Sequence, residues 1–279
     1  MVNEIPQMCV ITGPVIRQVL QNNRKAILDL VLETYLAHQK GDTVNPDSYF
    51  LRFPDNPKNR IIALPAHIND SSPVSGIKWI GSFPDNVRSG IPRASAVVIL
   101  NEARTGYPFA FLEGASISST RTAASAVLAA GLSSPNGKNI SSLGFVGAGI
   151  IARTTLDAFI EDDWKIGVIK IADPDEKSSR SFAEYARNRV DCTVTSAPIP
   201  EDVLASDVVM FATNVSAPHV TRAGSFRPGQ VVLNVSLRDI SPELILECDN
   251  ILDDVEHCMK ADTSPHLAEK MTGNREFVT

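Results

Sequence analysis

The stretch Leu143-Gly-Phe-Val-Gly147-Ala-Gly149-Ile-Ile-Ala152 decides how this chain is read. A short apolar run ends at Val146, a G-x-G-x-x-[G/A] turn follows, and residues 150–160 then favour a helix. In that strand-to-helix setting each small residue has a physical task. Gly147 permits a tight turn, Gly149 lets the backbone approach a pyrophosphate, and Ala152 lets the helix lie close against the sheet. The helix N-terminus offers unpaired N–H groups and a positive dipole end to phosphate oxygens. Gly147, Ala148, Gly149, Ile150 and Ala152 are therefore the expected cofactor-binding residues of the turn.

Outward from the turn the pattern alternates. Strand-like residues 143–146, 168–172, 193–195, 208–212 and 231–235, with helix-like residues 150–160 and 176–188, describe a parallel sheet wound with helices. Ligands of such sheets lie beyond the carboxyl ends of the strands, so the turns after Val146, Ala172, Ala212 and Val235 are the segments of interest. Asp173 ends the second strand at about the separation where an acid binds a ribose 2′-hydroxyl. A carboxylate there repels a 2′-phosphate, and Pro174 and Asp175 offer no arginine to hold one, which favours NAD over NADP. Asp173 can equally cap a helix beginning at Pro174. Thr213-Asn214 and Ser236 are expected, on topology alone, to face the nicotinamide half.

The first part of the chain has a different rhythm. Asn22 or Asn23 can cap a helix carrying Ile27, Leu30, Val31 and Tyr35, which Gly41 ends. Short β-rich runs then follow at 49–53, 61–68, 76–83, 94–100 and 108–112, separated by turn chemistry such as Asp55-Asn56-Pro57 and Thr105-Gly106. Such close spacing predicts an antiparallel sheet. Residues 118–132 favour a helix ended by Gly131, and the linker after it puts a domain boundary near Ser134, dividing the chain into 1–134 and 135–279.

Composition narrows the class. The 279 residues suit two domains, and a net charge of -6 argues against a nucleic-acid partner. No apolar run is long enough to span a bilayer, and the N-terminus lacks the basic flank and apolar core of a secretory signal. Cys9, Cys192, Cys248 and Cys258 are scattered, which reads as reduced, buried thiols in a cytoplasmic protein. The five histidines show no metal-ligand spacing, so no metal site is expected.

Four cations in the antiparallel part stand out: Arg52, Lys78, Arg93 and Arg121. Lys78, in Gly76-Ile-Lys78-Trp, sits among apolar neighbours that would desolvate its ammonium, although an exposed strand lysine fits the same pattern. Arg121 opens the alanine-rich helix, where a cation opposes the dipole and implies an anionic partner.

These residues resemble the ornithine cyclodeaminase and mu-crystallin family. Gly76-Ile-Lys78-Trp, Pro84-Asp-Asn86, Thr105-Gly-Tyr-Pro108, Arg121-Thr-Ala-Ala, Gly147-Ala-Gly149 and Asn234-Val-Ser-Leu-Arg-Asp239 follow the family's order and spacing over nearly the whole chain. The resemblance implies an α/β fold, with a Rossmann NAD-binding domain and an α+β substrate and dimerisation domain built on a mainly antiparallel sheet. It implies a homodimer, Arg52 and Arg121 as substrate-carboxylate ligands, Lys78 as the active-site lysine and Asp239 as the acid/base residue. Asp239 also precedes a helix at 242–247, for which Ser241 is the better cap.

Where ornithine cyclodeaminases carry a substrate-site threonine, this chain has Arg93. Residues 77–86 and Arg93-Ala-Ser look instead like the subgroup that makes L-2,3-diaminopropionate for siderophores and peptide antibiotics. That subgroup oxidises N-(2-amino-2-carboxyethyl)-L-glutamate, whose three carboxylates suit an added guanidinium that would repel ornithine's amines. Ornithine cyclodeaminase, a related imine reductase or alanine dehydrogenase, and a non-catalytic mu-crystallin-like dinucleotide-binding protein are the alternative readings. Members of the family continue with a terminal segment that returns to the substrate domain, and the sequence here stops at Thr279, before such a segment.

Overall fold

The computed structural model describes residues 7–197 and 200–279. Residues 1–6, part of the stretch read above as lacking a secretory signal, lie outside the described residues. The chain divides into two compact units, Met1–Arg121 and Thr122–Thr279.

The first unit contains β1 (Cys9–Ile11), α1 (Gly13–Asn22), α2 (Arg24–Lys40), β2 (Thr43–Val44), β3 (Tyr49–Arg52), β4 (Arg60–Ile68), β5 (Val74–Ser82), β6 (Ala94–Glu102) and β7 (Pro108–Glu113). The helix α3 (Ala115–Ser133) follows, and the division between the units falls within it; Ser134 is the first residue after its end. The strands form one sheet in the order β1-β7-β6-β5-β4-β2, with β3 also paired to β4. Every pairing is antiparallel except β1 beside β7. Five of these strands lie within two residues of the expected runs.

Turn chemistry closes the hairpins. Between β6 and β7 the Glu102 carboxylate accepts the Arg104 and Thr105 N–H groups at 3.1 and 2.8 Å, and Gly106 takes the left-handed conformation at φ +74°. Gly41, at φ +83°, ends α2 as expected, but Asn23 gives that helix no side-chain cap; its amide donates backwards to the Val19 carbonyl.

Two expectations for α3 change. The helix begins at Ala115, where the Glu113 carboxylate accepts the Ala115 and Ser116 amides, and it continues through Gly131. Arg121 therefore lies beyond the first turn, where the dipole has faded, and the argument for an anionic partner from helix position lapses.

The second unit contains β8 (Asn139–Val146), α4 (Ile150–Glu161), β9 (Lys165–Ala172), α5 (Glu176–Arg187), β10 (Thr193–Ala197), α6 (Glu201–Leu204), β11 (Val208–Phe211), β12 (Val231–Asn234), α7 (Pro242–Leu246), α8 (Val255–Cys258) and α9 (Ser264–Thr272). Its sheet runs β10-β9-β8-β11-β12, and all four pairings are parallel. Chain order reverses beside β8, so the turn after Val146 lies at the switch point where such sheets bind ligands.

Burial fixes this arrangement. Phe145 of β8 meets Phe182 of α5 edge-on at 5.2 Å, while Val209 and Phe211 of β11 pack with Val220, Ile240 and Leu244 on the other face. Phe145, Phe159, Phe182 and Phe211 are fully buried, and each such side chain stabilises the fold by roughly 1.5–3 kcal/mol.

All four cysteines are free, but none is fully buried: Cys9 is exposed and the others are half-buried. The expectation of buried apolar thiols is corrected accordingly. No helix among the described residues is long and apolar enough to cross a membrane.

Candidate active site

The glycine turn joins β8 to α4. Gly147 adopts φ +99°, and a Cβ there would stand 2.5 Å from the Ala212 carbonyl oxygen, so both its conformation and its neighbour require glycine. Gly149 differs. Its φ is -77°, and an added Cβ would meet nothing within 4 Å, so the protein itself gives no reason for glycine there. Open space beside an uncapped helix start is what a phosphate group needs. Ala152, on the inner face of α4, is fully buried, while Ile150 is exposed.

Asp173 follows β9 directly. Its carboxylate accepts the Ala148 amide at 2.8 Å and the Asp175 amide at 2.9 Å. The helix cap is Asp175, which accepts from Lys177 and Ser178, and α5 begins at Glu176. Asp173 is thus not a helix cap; it braces the glycine turn from the neighbouring strand. The Ala148 N–H is committed to it, so among the turn residues Ala148 has a bracing role inside the protein. The tight turn, the open ground at Gly149 and the acid at the end of β9 together fit a dinucleotide.

A second cluster gathers after β11 and β12. Asp239 is fully buried. One of its oxygens accepts from the Thr213 hydroxyl at 2.5 Å and lies 3.0 Å from His219 Nε2; the other accepts from the Ser236 hydroxyl. Burial alone would raise the Asp239 pKa, but the hydrogen bonds from His219, Ser236 and Thr213 outweigh it and hold the carboxyl below its ordinary range. Thr213 and Ser236, expected to face a nicotinamide, turn their hydroxyls onto this carboxylate. No sequence spacing marks His219, whose partner lies twenty residues on.

The first unit holds the cations. Lys78, at the middle of β5, donates to the Ser118 hydroxyl of α3 at 3.2 Å. Burial, and then the charge of Arg121, lowers its pKa to about 8. Arg93, just before β6, donates to the Ser82 hydroxyl at 2.7 Å. Arg52 is exposed and lies over the Phe50 ring at 5.0 Å. Cross-strand partners share a face, and the register pairs Arg52 with Arg60 and Arg60 with Ser82. Lys78 and Ser82 alternate onto that same face. Arg52, Arg60, Lys78 and the Ser82-bound Arg93 therefore line one side of the sheet over roughly 13 Å. Arg60 was not singled out in the sequence; only the register brings it between Arg52 and Ser82.

The ornithine cyclodeaminase/mu-crystallin family profile matches residues 16–237, a span that includes the glycine turn and all four of those cationic positions. The chain belongs to that family.

Among members of the family, the N-((2S)-2-amino-2-carboxyethyl)-L-glutamate dehydrogenase of Staphylococcus aureus is 31% identical over 87% of this chain and 74% of its own. The alanine dehydrogenase of Archaeoglobus fulgidus is 28% identical over 82% of this chain and 69% of its own. A solved structure of an archaeal alanine dehydrogenase dimer with bound NAD is 26% identical and superposes with a TM-score of 0.81, covering 97% of this chain and 82% of that one. That superposition shows the same fold in the two proteins.

Proposed function

We propose that this family member is an NAD-dependent dehydrogenase that oxidises N-(2-amino-2-carboxyethyl)-L-glutamate and hydrolyses the product to L-2,3-diaminopropionate and 2-oxoglutarate. The observation that carries the substrate class is the row of cations on one face of the first sheet, with Arg93 held on Ser82 and Lys78 held on Ser118. Three carboxylates on one substrate match such a row; an ornithine side chain, with its second amine, does not. The 31% identity to the S. aureus enzyme supports the same assignment.

When bound, NAD supplies the hydride acceptor for the α-carbon of the glutamate moiety. Gly147, Gly149 and the start of α4 hold its pyrophosphate, Ala152 brings that helix close to the sheet, and Asp173 takes the ribose hydroxyls and rejects a 2′-phosphate. Arg52, Arg93 and Arg121 bind substrate carboxylates, and Lys78 orients the one nearest the reacting carbon. Removal of hydride from that carbon and of the proton from the bridging nitrogen, which passes to solvent, leaves an imine; water adds to it, and collapse releases the two products with NADH. Asp239 and its partners handle the proton of that water. The product suits assembly of siderophores or peptide antibiotics.

A homodimer through the first unit belongs to the same reading. The sheet face opposite Lys78 carries Ile61, Ala63, Ile77 and Trp79, and Trp79 is 42% exposed, an apolar face that a second copy would cover.

Calorimetric titration of the NADH-loaded protein tests the substrate class. The tricarboxylate should bind more tightly than L-ornithine or L-alanine. Equal or tighter binding of ornithine would remove the assignment.

A further inference from the structure

Asp239 has no accessible surface, and both of its oxygens are occupied by Thr213, His219 and Ser236. A water approaching a substrate cannot reach it. His219 is placed differently: its side chain is 32% exposed. The His219 and Val220 amides both donate to the Asp239 carbonyl at 2.9 Å, so backbone as well as side chain joins the two residues. The ring packs edge-on against Phe211 at 6.3 Å. Asp239 is the charged group against the ring, from the loop after β12; the β11 side contributes the Phe211 ring and the Thr213 hydroxyl, which shares the same carboxylate oxygen.

An ionised carboxylate has no proton to give, so His219 Nε2 must be the donor, and in the neutral ring Nδ1 then carries a lone pair. We propose that His219 is the group that takes and returns the proton at this site, and that Asp239 is its positioning residue. The proposal rests on the dehydrogenase reading above.

In the hydrolytic step, His219 Nδ1 takes a proton from water as the water oxygen bonds to the imine carbon and the C=N electron pair moves to nitrogen. The imidazolium returns that proton to the bridging nitrogen. The same imidazole then takes the hydroxyl proton as C=O forms and the C–N bond breaks, and passes it to the departing amine. Water is the only co-reactant besides the hydride acceptor. The Asp239 carboxylate keeps the ring in the tautomer that each transfer needs.

The test compares wild type with His219→Gln and Asp239→Asn, following NADH and 2-oxoglutarate separately in single turnovers, and reads the ring tautomer by nitrogen NMR. His219→Gln keeps a donor toward Asp239 but cannot accept a proton. It should bind NADH as wild type does, yet release 2-oxoglutarate at least about a hundredfold more slowly and lose the wild-type pH dependence of that step. Added imidazole should restore part of the rate. A neutral wild-type ring that carries its proton on Nδ1 overturns the proposal, as does a His219→Gln enzyme with unchanged rate and pH profile beside an inactive Asp239→Asn. A wild type that forms no NADH from the tricarboxylate is a failure of the substrate reading instead, and the NMR arm then still decides the tautomer.

Discussion

The Lys78 ammonium donates to the Ser118 hydroxyl at 3.2 Å, and Arg121 stands one turn further along the same helix. Burial and that neighbouring guanidinium lower the Lys78 pKa to about 8. Below that pH the side chain is a cation suited to a carboxylate; above it the charge is lost. The KM for the anionic substrate should therefore rise as pH increases through about 8. Lys78→Arg should remove that rise, because a guanidinium stays charged. The folding consequence has the opposite sense. A lysine whose folded pKa lies below its unfolded value binds fewer protons in the folded state, so its penalty is full below about 8 and fades as pH climbs toward the unfolded value. Lys78→Met should raise the melting temperature at neutral pH while weakening substrate binding.

Gly147 and Gly149 should respond differently to alanine. Gly147→Ala combines a left-handed φ with a Cβ 2.5 Å from the Ala212 carbonyl oxygen, so it should lower the melting temperature and abolish NAD binding. Gly149→Ala meets no protein atom within 4 Å and should fold normally. Its loss should appear only in cofactor affinity, measured by NADH fluorescence titration. Normal affinity in that variant would remove the pyrophosphate from this spot.

Asp173 serves two ends, the Ala148 amide and the ribose. Asp173→Ser should weaken NAD binding by about tenfold to a hundredfold, the cost of losing hydrogen bonds to a charged group. Discrimination against NADP should fall at the same time, since the repelling charge is gone. Parallel NAD and NADP titrations measure both effects.

Arg93 is partly buried against Ser82. Arg93→Thr should raise the KM for the tricarboxylate by at least about tenfold, as expected when a charge-assisted contact is lost, and should leave NAD affinity unchanged. An unaltered KM would make Arg93 a residue of the fold alone.

Much of the fold was legible because its signals are local. A strand, a glycine turn and an amphipathic helix lie within a few residues of one another around Gly147, and the hairpin runs of the first sheet are each marked by their own turns. Short elements were not legible: β1 has three residues and is a strand only because Cys9 pairs with Ala110, far along the chain. The start of α3 lies earlier than the alanine-rich segment predicts for a related reason, since its first turn is held by Glu113, outside that segment. Residue types at the site could be named, but their partners could not. Thr213, His219, Ser236 and Asp239 converge through the winding of β11 and β12, and no spacing rule predicts a carboxylate twenty residues from its histidine.

Incubation of the protein with NAD and N-(2-amino-2-carboxyethyl)-L-glutamate, beside L-ornithine and L-alanine, is the most direct test of the central claim. NADH, 2-oxoglutarate and L-2,3-diaminopropionate should appear in equal amounts from the first substrate. NADH from ornithine or alanine alone, with none from the tricarboxylate, would contradict the account.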